Sequence, residues 1–166
     1  MIVLGVDPGV SETGWAVLKD GVLAGHGCIK TTPASPMPQR LAAIHKALGA
    51  VIAEFAPDVV AVEEMFFVKV ANTIRMTLQA RGVIVLAAAQ AGKPVHEYNP
   101  KTVKLTLSGS GSADKPTMQR AIQRALNMAE PLRPDDVADA AAIALCHHRM
   151  GRVAKFKILD RFGGKR

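Results

Sequence analysis

The chain has 166 residues, 49% of them hydrophobic and only 4% aromatic, with a formal net charge of +7 and a pI near 9.7. That length holds one domain with a real core, and the apolar share excludes disorder over most of it. The positive balance points to a polyanionic partner, nucleic acid before membrane, with a plain basic surface as the alternative, and no apolar run is long enough to span a bilayer.

The run Ile2–Val6 is short, apolar and β-branched, so it predicts a buried strand that Asp7-Pro8-Gly9 stops. No basic-then-apolar leader precedes it, so a reducing, cytoplasmic compartment is expected. Cys28 and Cys146 form no CxxC pair; no zinc site follows from them, and a disulfide is open but unneeded. Residues 2–30 read as three strands in an antiparallel meander, because their connections are too short for crossover helices. Pro33, Pro36 and Pro38 make 31–38 a loop, and helical spacing then runs from Gln39 to Phe55. A fourth buried strand, Val59–Val62, ends in Glu63-Glu64. A helix over Ala71–Ala91 has more than one apolar face, which suits a central helix or one packed on a second subunit. A fifth strand at 94–98 follows, then a helix from Pro100 to Leu105. A flexible Ser/Gly loop covers 108–112, and helices from Lys115 to Met128 and from Asp135 or Asp136 to Arg149 close the domain. This order predicts an α/β fold of ribonuclease H-like type: a five-stranded mixed sheet, strands one to three antiparallel, with helices on both faces. Residues 1–150 form that domain, and 151–166 are expected as a flexible basic tail, either a phosphate-binding arm or a solubilising one.

Three acidic positions fall where such a sheet would gather them. Asp7 ends the first strand and Glu63 ends the fourth, which neighbours the first in this order. Asp136 and Asp139 share one face at the start of the last helix. Taken singly, Asp7 serves equally well as a turn former, Glu63 as a solvated residue and the aspartates as helix caps. Taken together, four carboxylates in one pocket repel one another unless hard divalent cations fill it. Two such ions about 4 Å apart can activate water and steady the leaving oxygen in phosphodiester hydrolysis. Glu64 and Asp135 are expected to be bystanders, the first on the opposite face of its strand and the second as a cap.

At this point the residues resemble the RuvC family of bacterial Holliday junction resolvases. The resemblance rests on Leu4-Gly5-Val6-Asp7-Pro8-Gly9 with Thr13-Gly14, and on Ala61-Val62-Glu63-Glu64 with Phe66. It continues through Gln79-Ala80-Arg81-Gly82, Val103-Lys104, Gly109 to Lys115, and Asp136-Val137-Ala138-Asp139-Ala140. It implies a ribonuclease H-like homodimer that makes paired nicks in four-way DNA junctions with Mg²⁺ or Mn²⁺, two ions per site, in recombination and repair. By position, Asp7, Glu63, Asp136 and Asp139 would be the metal-binding and catalytic acids. The family's fourth acid is sometimes a histidine; here Asp139 keeps the carboxylate. Lys104 and Lys115 match lysines near the cleaved phosphate, where their charge aids both binding and chemistry. Phe66 matches an aromatic that stacks on unpaired bases at the junction centre, with a place in the core as the alternative. Lys69, Arg75, Ser110 and Ser112 are expected to add DNA contacts. The Ala71–Ala91 helix would carry the dimer contact, and a branch-migration complex of the RuvA and RuvB type would be a partner.

Other readings compete with this one. Asp7-Pro8-Gly9 with Gly14 also resembles the phosphate loop of actin-like and sugar-kinase ATP-dependent phosphotransferases, though 166 residues leave little room for their second lobe. A non-enzymatic junction-binding protein leaves the acids unexplained, and a related nuclease could act on RNA or on another branched DNA.

Overall fold

The computed structural model describes the backbone of residues 1–64 and 71–163, and the side chains of 1–64 and 75–151. The elements are β1 (Ile2–Asp7), β2 (Glu12–Lys19), β3 (Val22–Lys30), α1 (Met37–Phe55), β4 (Val59–Glu63), α2 (Ala71–Gln90), β5 (Val95–Tyr98), α3 (Pro100–Ser108), α4 (Lys115–Ala125) and α5 (Asp135–Gly163). The five strands form one sheet in the order β3-β2-β1-β4-β5. β1, β2 and β3 pair antiparallel, while β4 pairs parallel with both β1 and β5.

Alternation along the strands divides the core in two. Leu4, Val6, Val17, Val60 and Val62 pack with Ile44 and Leu48 of α1 and with Ala80 and Ile84 of α2. Val3, Ala16, Leu18, Val59 and Ala61 face the other way, against α5 together with residues of α3 and α4. Helices therefore cover both faces, as the sequence predicts.

Four boundaries differ from the sequence reading by two residues or more, among them the end of α3, which lies at Ser108 rather than Leu105. α1 starts at Met37, because Pro38 falls in its first turn, where a missing N–H costs nothing. α4 stops at Ala125 rather than Met128, with Asn127 at a positive φ of 51°. α5 does not end near Arg149 but runs to Gly163, so residues 151–163 of the expected flexible tail have helical backbone. Between Gly151 and Gly163 no proline or glycine interrupts the chain, and Ala154, Phe156, Ile158 and Leu159 are interleaved with the basic residues. Charge alone suggested a loose arm; the lack of a helix breaker lets the helix continue.

α5 lies unusually close to the sheet, and two glycines allow it. A Cβ on Gly5 of β1 would stand 2.1 Å from the Ala140 carbonyl oxygen, and one on Gly14 of β2 would stand 2.0 Å from that of Asp136. Both contacts are far shorter than real Cβ atoms make. The helix backbone rests directly on the strands there, and this seating brings its first turn to the end of β1.

Candidate active site

The sheet register supplies the first two acids. Val6 pairs with Val62, so Asp7 and Glu63 follow side by side at the ends of parallel neighbours. Both have the strand parity of Gly5 and Ala61 and so face α5. Asp7 also pairs with Gly14, the glycine under the Asp136 carbonyl.

The turn after Asp7 is pinned from three sides. Thr13, fully buried, donates its hydroxyl to the Gly9 carbonyl at 2.5 Å. Thr31 donates to the Val10 carbonyl at 2.6 Å. Arg40, only 6% exposed, donates Nε to Thr31 Oγ1 at 2.8 Å and Nη2 to Ser11 Oγ at 3.0 Å. A buried guanidinium on α1 thus fixes the loop that follows the central acid.

Asp7 feels each of the other three acids. Burial, then Asp139, Glu63 and Asp136, push the Asp7 carboxyl up from 3.8 to about 8, against a small opposing effect of Lys115. Glu63 is raised by burial and by Asp139, and Lys104 offsets part of this. Asp139 opens to solvent on one side, yet the protein around it and Asp136 raise it while Lys115 and Lys104 lower it. Glu63, Lys104 and Asp139 line a cleft of about 280 Å³ between α3, α4 and α5, floored by Val103, Met118 and Ile143. Tyr98, across from Glu63 on β5, shares a 2.6 Å hydrogen bond between its hydroxyl and His147 Nδ1.

Asp136 belongs partly to a second group. Its carboxyl is raised first by burial and then by the neighbouring Glu12 of β2. Glu12, Cys28 and Asp136 bring one ligating atom each within 4.8 Å of one another, the one such trio among the described residues. No three of the predicted acids approach that closely. Lys30 Nζ sits 2.9 Å from Glu12 Oε1, so an ammonium already neutralises this corner. The sequence reading missed Glu12. Its signal was parity: Glu12 lies two residues before Gly14 and so shares its face, with Lys30 and Cys28 opposite the two.

The remaining predicted residues are placed as follows. Lys115 opens α4 and pairs with Asp135 Oδ2 at 2.7 Å, and that carboxylate also accepts from Arg133 Nη1 and Gln119 Nε2. Asp135 is thus held by cations outside the acid group. Ser110 and Ser112 are exposed in the loop between α3 and α4, their hydroxyls 3.1 Å apart. The hydroxyl of Ser108, the last residue of α3, donates to the Ser110 carbonyl at 3.1 Å, which ties that loop back to the helix. Arg75 is exposed near the start of α2. Phe66 and Lys69 lie outside the described residues. Cys28 and Cys146 are free thiols, Cys146 buried.

Comparison with known proteins gives a consistent result. The family described as "Crossover junction endodeoxyribonuclease RuvC" matches residues 3–147. The chain is 48% identical over 152 residues to the crossover junction endodeoxyribonuclease RuvC of Endomicrobium trichonymphae, covering 89% of this chain and 80% of that one. Thermus thermophilus RuvC in complex with a Holliday junction substrate is 36% identical, with a TM-score of 0.88, over 93% of this chain and 96% of that one. The yeast mitochondrial Holliday junction resolvase Ydc2 shares the fold at 15% identity, with a TM-score of 0.66, over 96% of this chain and 83% of that one.

Proposed function

The chain belongs to the RuvC family of crossover junction endodeoxyribonucleases, and on that premise we propose that it resolves four-way DNA junctions by metal-dependent phosphodiester hydrolysis. The observation that carries the proposal is the meeting of Asp7, Glu63 and Asp139, from three distant segments, beside a cleft that also presents Lys104.

The charge of these residues supports a role in holding divalent cations. Asp7 is held near 8 by burial and by three other carboxyls, so the site lacks positive charge among oxygen-only donors, which is what Mg²⁺ or Mn²⁺ supplies. Asp7, Glu63, Asp136 and Asp139 are the residues we assign to hold two ions. When bound, the ions would lower the pKa of the attacking water and steady the leaving oxygen. Asp7, between β2 and β4, is the acid best placed to serve both. Asp136 would exchange its neighbour Glu12 for an ion in joining them. Lys104 sits within the cleft beside Glu63 and Asp139, where its ammonium offsets charge on a bound phosphate. Lys115 stands at the rim, held by Asp135 and free to exchange that partner for a phosphate oxygen.

Two equivalent cuts in a four-way junction call for two equivalent sites, and a C₂ homodimer provides them. Leu78 and Leu86 of α2 are 37% and 51% exposed, and Gly82 between them has no neighbour within 4 Å of where its Cβ would be. This small-centred apolar stripe, on one face at i, i+4 and i+8, supports α2 as the dimer contact. Phe66 at the junction centre, the further contacts of Lys69, Arg75, Ser110 and Ser112, a cytoplasmic site of action and a branch-migration partner complete the proposal.

A panel of labelled four-way junctions, flaps, duplexes and RNA hybrids, each with Mg²⁺, Mn²⁺ or excess chelator, tests it. Paired nicks in the junction alone, absent in chelator, are expected. Equal cutting of duplex or RNA, or cutting in chelator, overturns it. A phosphotransferase is not favoured, since the matched family spans nearly the whole chain.

A further inference from the structure

Beyond the acid site, α3, α4 and α5 enclose a cleft of about 420 Å³ that the chemistry above does not use. Arg120, Arg124 and Arg149 line it, with the hydroxyls of Ser108 and Thr117. A neighbouring cavity of about 400 Å³ shares Arg120 and Arg124, so the two arginines border a continuous track along α4.

Three guanidinium groups at one cleft repel one another unless an anion offsets them. Among the described residues, no carboxylate forms an ion pair with any of the three. Arg120 Nη2 donates to Thr117 Oγ1 at 3.0 Å, and Arg149 Nη1 donates to the Thr106 carbonyl at 3.0 Å. Each bond uses one of five donors and steadies a fork whose remaining N–H groups are suited to phosphate. Asp114, the acid whose charge feels Arg120, caps α4 by accepting from Thr117 N at 2.9 Å.

We propose that this arginine-lined cleft is a second phosphate-binding site, which holds the backbone of a junction arm as it leaves the acid site. This rests on the nuclease reading and adds a contact to it. Position favours a DNA backbone over a small anion. Ser108 lies one helical turn, about 6 Å, beyond Lys104 on α3, so the arginine-lined cleft continues the surface on which Lys104 meets a strand. Composition points the same way. The lining has no aromatic ring to stack on a base, and its three guanidinium forks match the paired oxygens of a phosphate.

The test is fluorescence anisotropy of a labelled four-way junction in chelator, over a range of salt, with the wild type and the Arg120→Gln/Arg124→Gln double variant. Arg149 is left in place because it also holds α3. The double variant should lower the slope of log affinity against log salt by about 2, so the wild-type advantage grows about tenfold from 0.2 M to 0.05 M salt. The Arg120→Lys/Arg124→Lys variant should restore most of it. Unchanged thermal melting of both variants confirms that the fold is kept. An unchanged slope with wild-type binding intact overturns the assignment and leaves the cleft to some other anion, such as an acidic peptide. Failure of the wild type to bind the junction overturns the nuclease reading itself.

Discussion

Replacing Asp7 by Asn should abolish cutting and, in the absence of metal, make the protein more stable. In the folded chain this carboxyl is raised from 3.8 to about 8, by burial first and by Asp139, Glu63 and Asp136 after it. The folded state therefore binds its proton more tightly than the unfolded chain does. Below about pH 4 both states are protonated and the acid carries no penalty. As pH rises through the window to 8, the unfolded chain ionises freely while the folded chain resists, so wild-type stability falls. At 1.36 kcal/mol per pH unit the full window is on the order of 5 kcal/mol, and relaxation of the site reduces this to a few. The Asp7→Asn variant escapes that loss. Denaturant unfolding in chelator should show both proteins alike at pH 4 and the variant ahead by about 2–4 kcal/mol at pH 8. Saturating Mg²⁺ should restore the wild type and leave the variant little changed, while junction binding survives and cleavage does not. A stability difference that is flat from pH 4 to pH 8 would refute the claim that buried, crowded carboxylates define this site.

Gly14→Ala puts a methyl group 2.0 Å from the Asp136 carbonyl oxygen, and reaching an ordinary 3.4 Å contact shifts the start of α5 by about 1.4 Å. Overpacking of this kind costs about 1–3 kcal/mol, and misplacing the acids should slow single-turnover cleavage by on the order of 100-fold; wild-type turnover would show that α5 is not seated as described. Lys104→Gln should slow cleavage at saturating junction by on the order of 100-fold, whereas an effect on affinity alone would move Lys104 out of the reacting centre. Arg40→Ala leaves Thr31 and Ser11 without their donor, so thermal unfolding should report a loss of about 2–3 kcal/mol, and an unchanged Tm would mean the turn after Asp7 holds without it.

The strands and helices were legible because their apolar periods are clean, and four of the acids stood out because each sits at the end of a strand or the start of a helix. Glu12 did not stand out. Its link to Asp136 depends on how β2 lies under α5, which the local sequence does not encode. Lys115 was legible as a cation near the site, but its engagement by Asp135 was not, since that pair joins two helices through an irregular segment with two prolines. The basic cleft was hidden for the same reason: Arg120 and Arg124 belong to no motif, and only tertiary packing sets Arg149 beside them. The end of α5 was misjudged because charge was weighed above the absence of a helix breaker.

The pairing of β4 with β1 also governs which changes in chain length this protein can absorb. Glu63 faces α5 only because Val59–Val62 keeps its count against Val3–Val6. Removing one of those four residues leaves the strand as apolar as before, yet turns Glu63 toward α1 and α2 and empties its place beside Asp7. Extra residues at 32–35, before α1, shift no strand register, and lengthening such a loop costs little. Families built on this frame are thus free to vary length in that loop, while a single-residue deletion in β4 removes an acid that no substitution has touched.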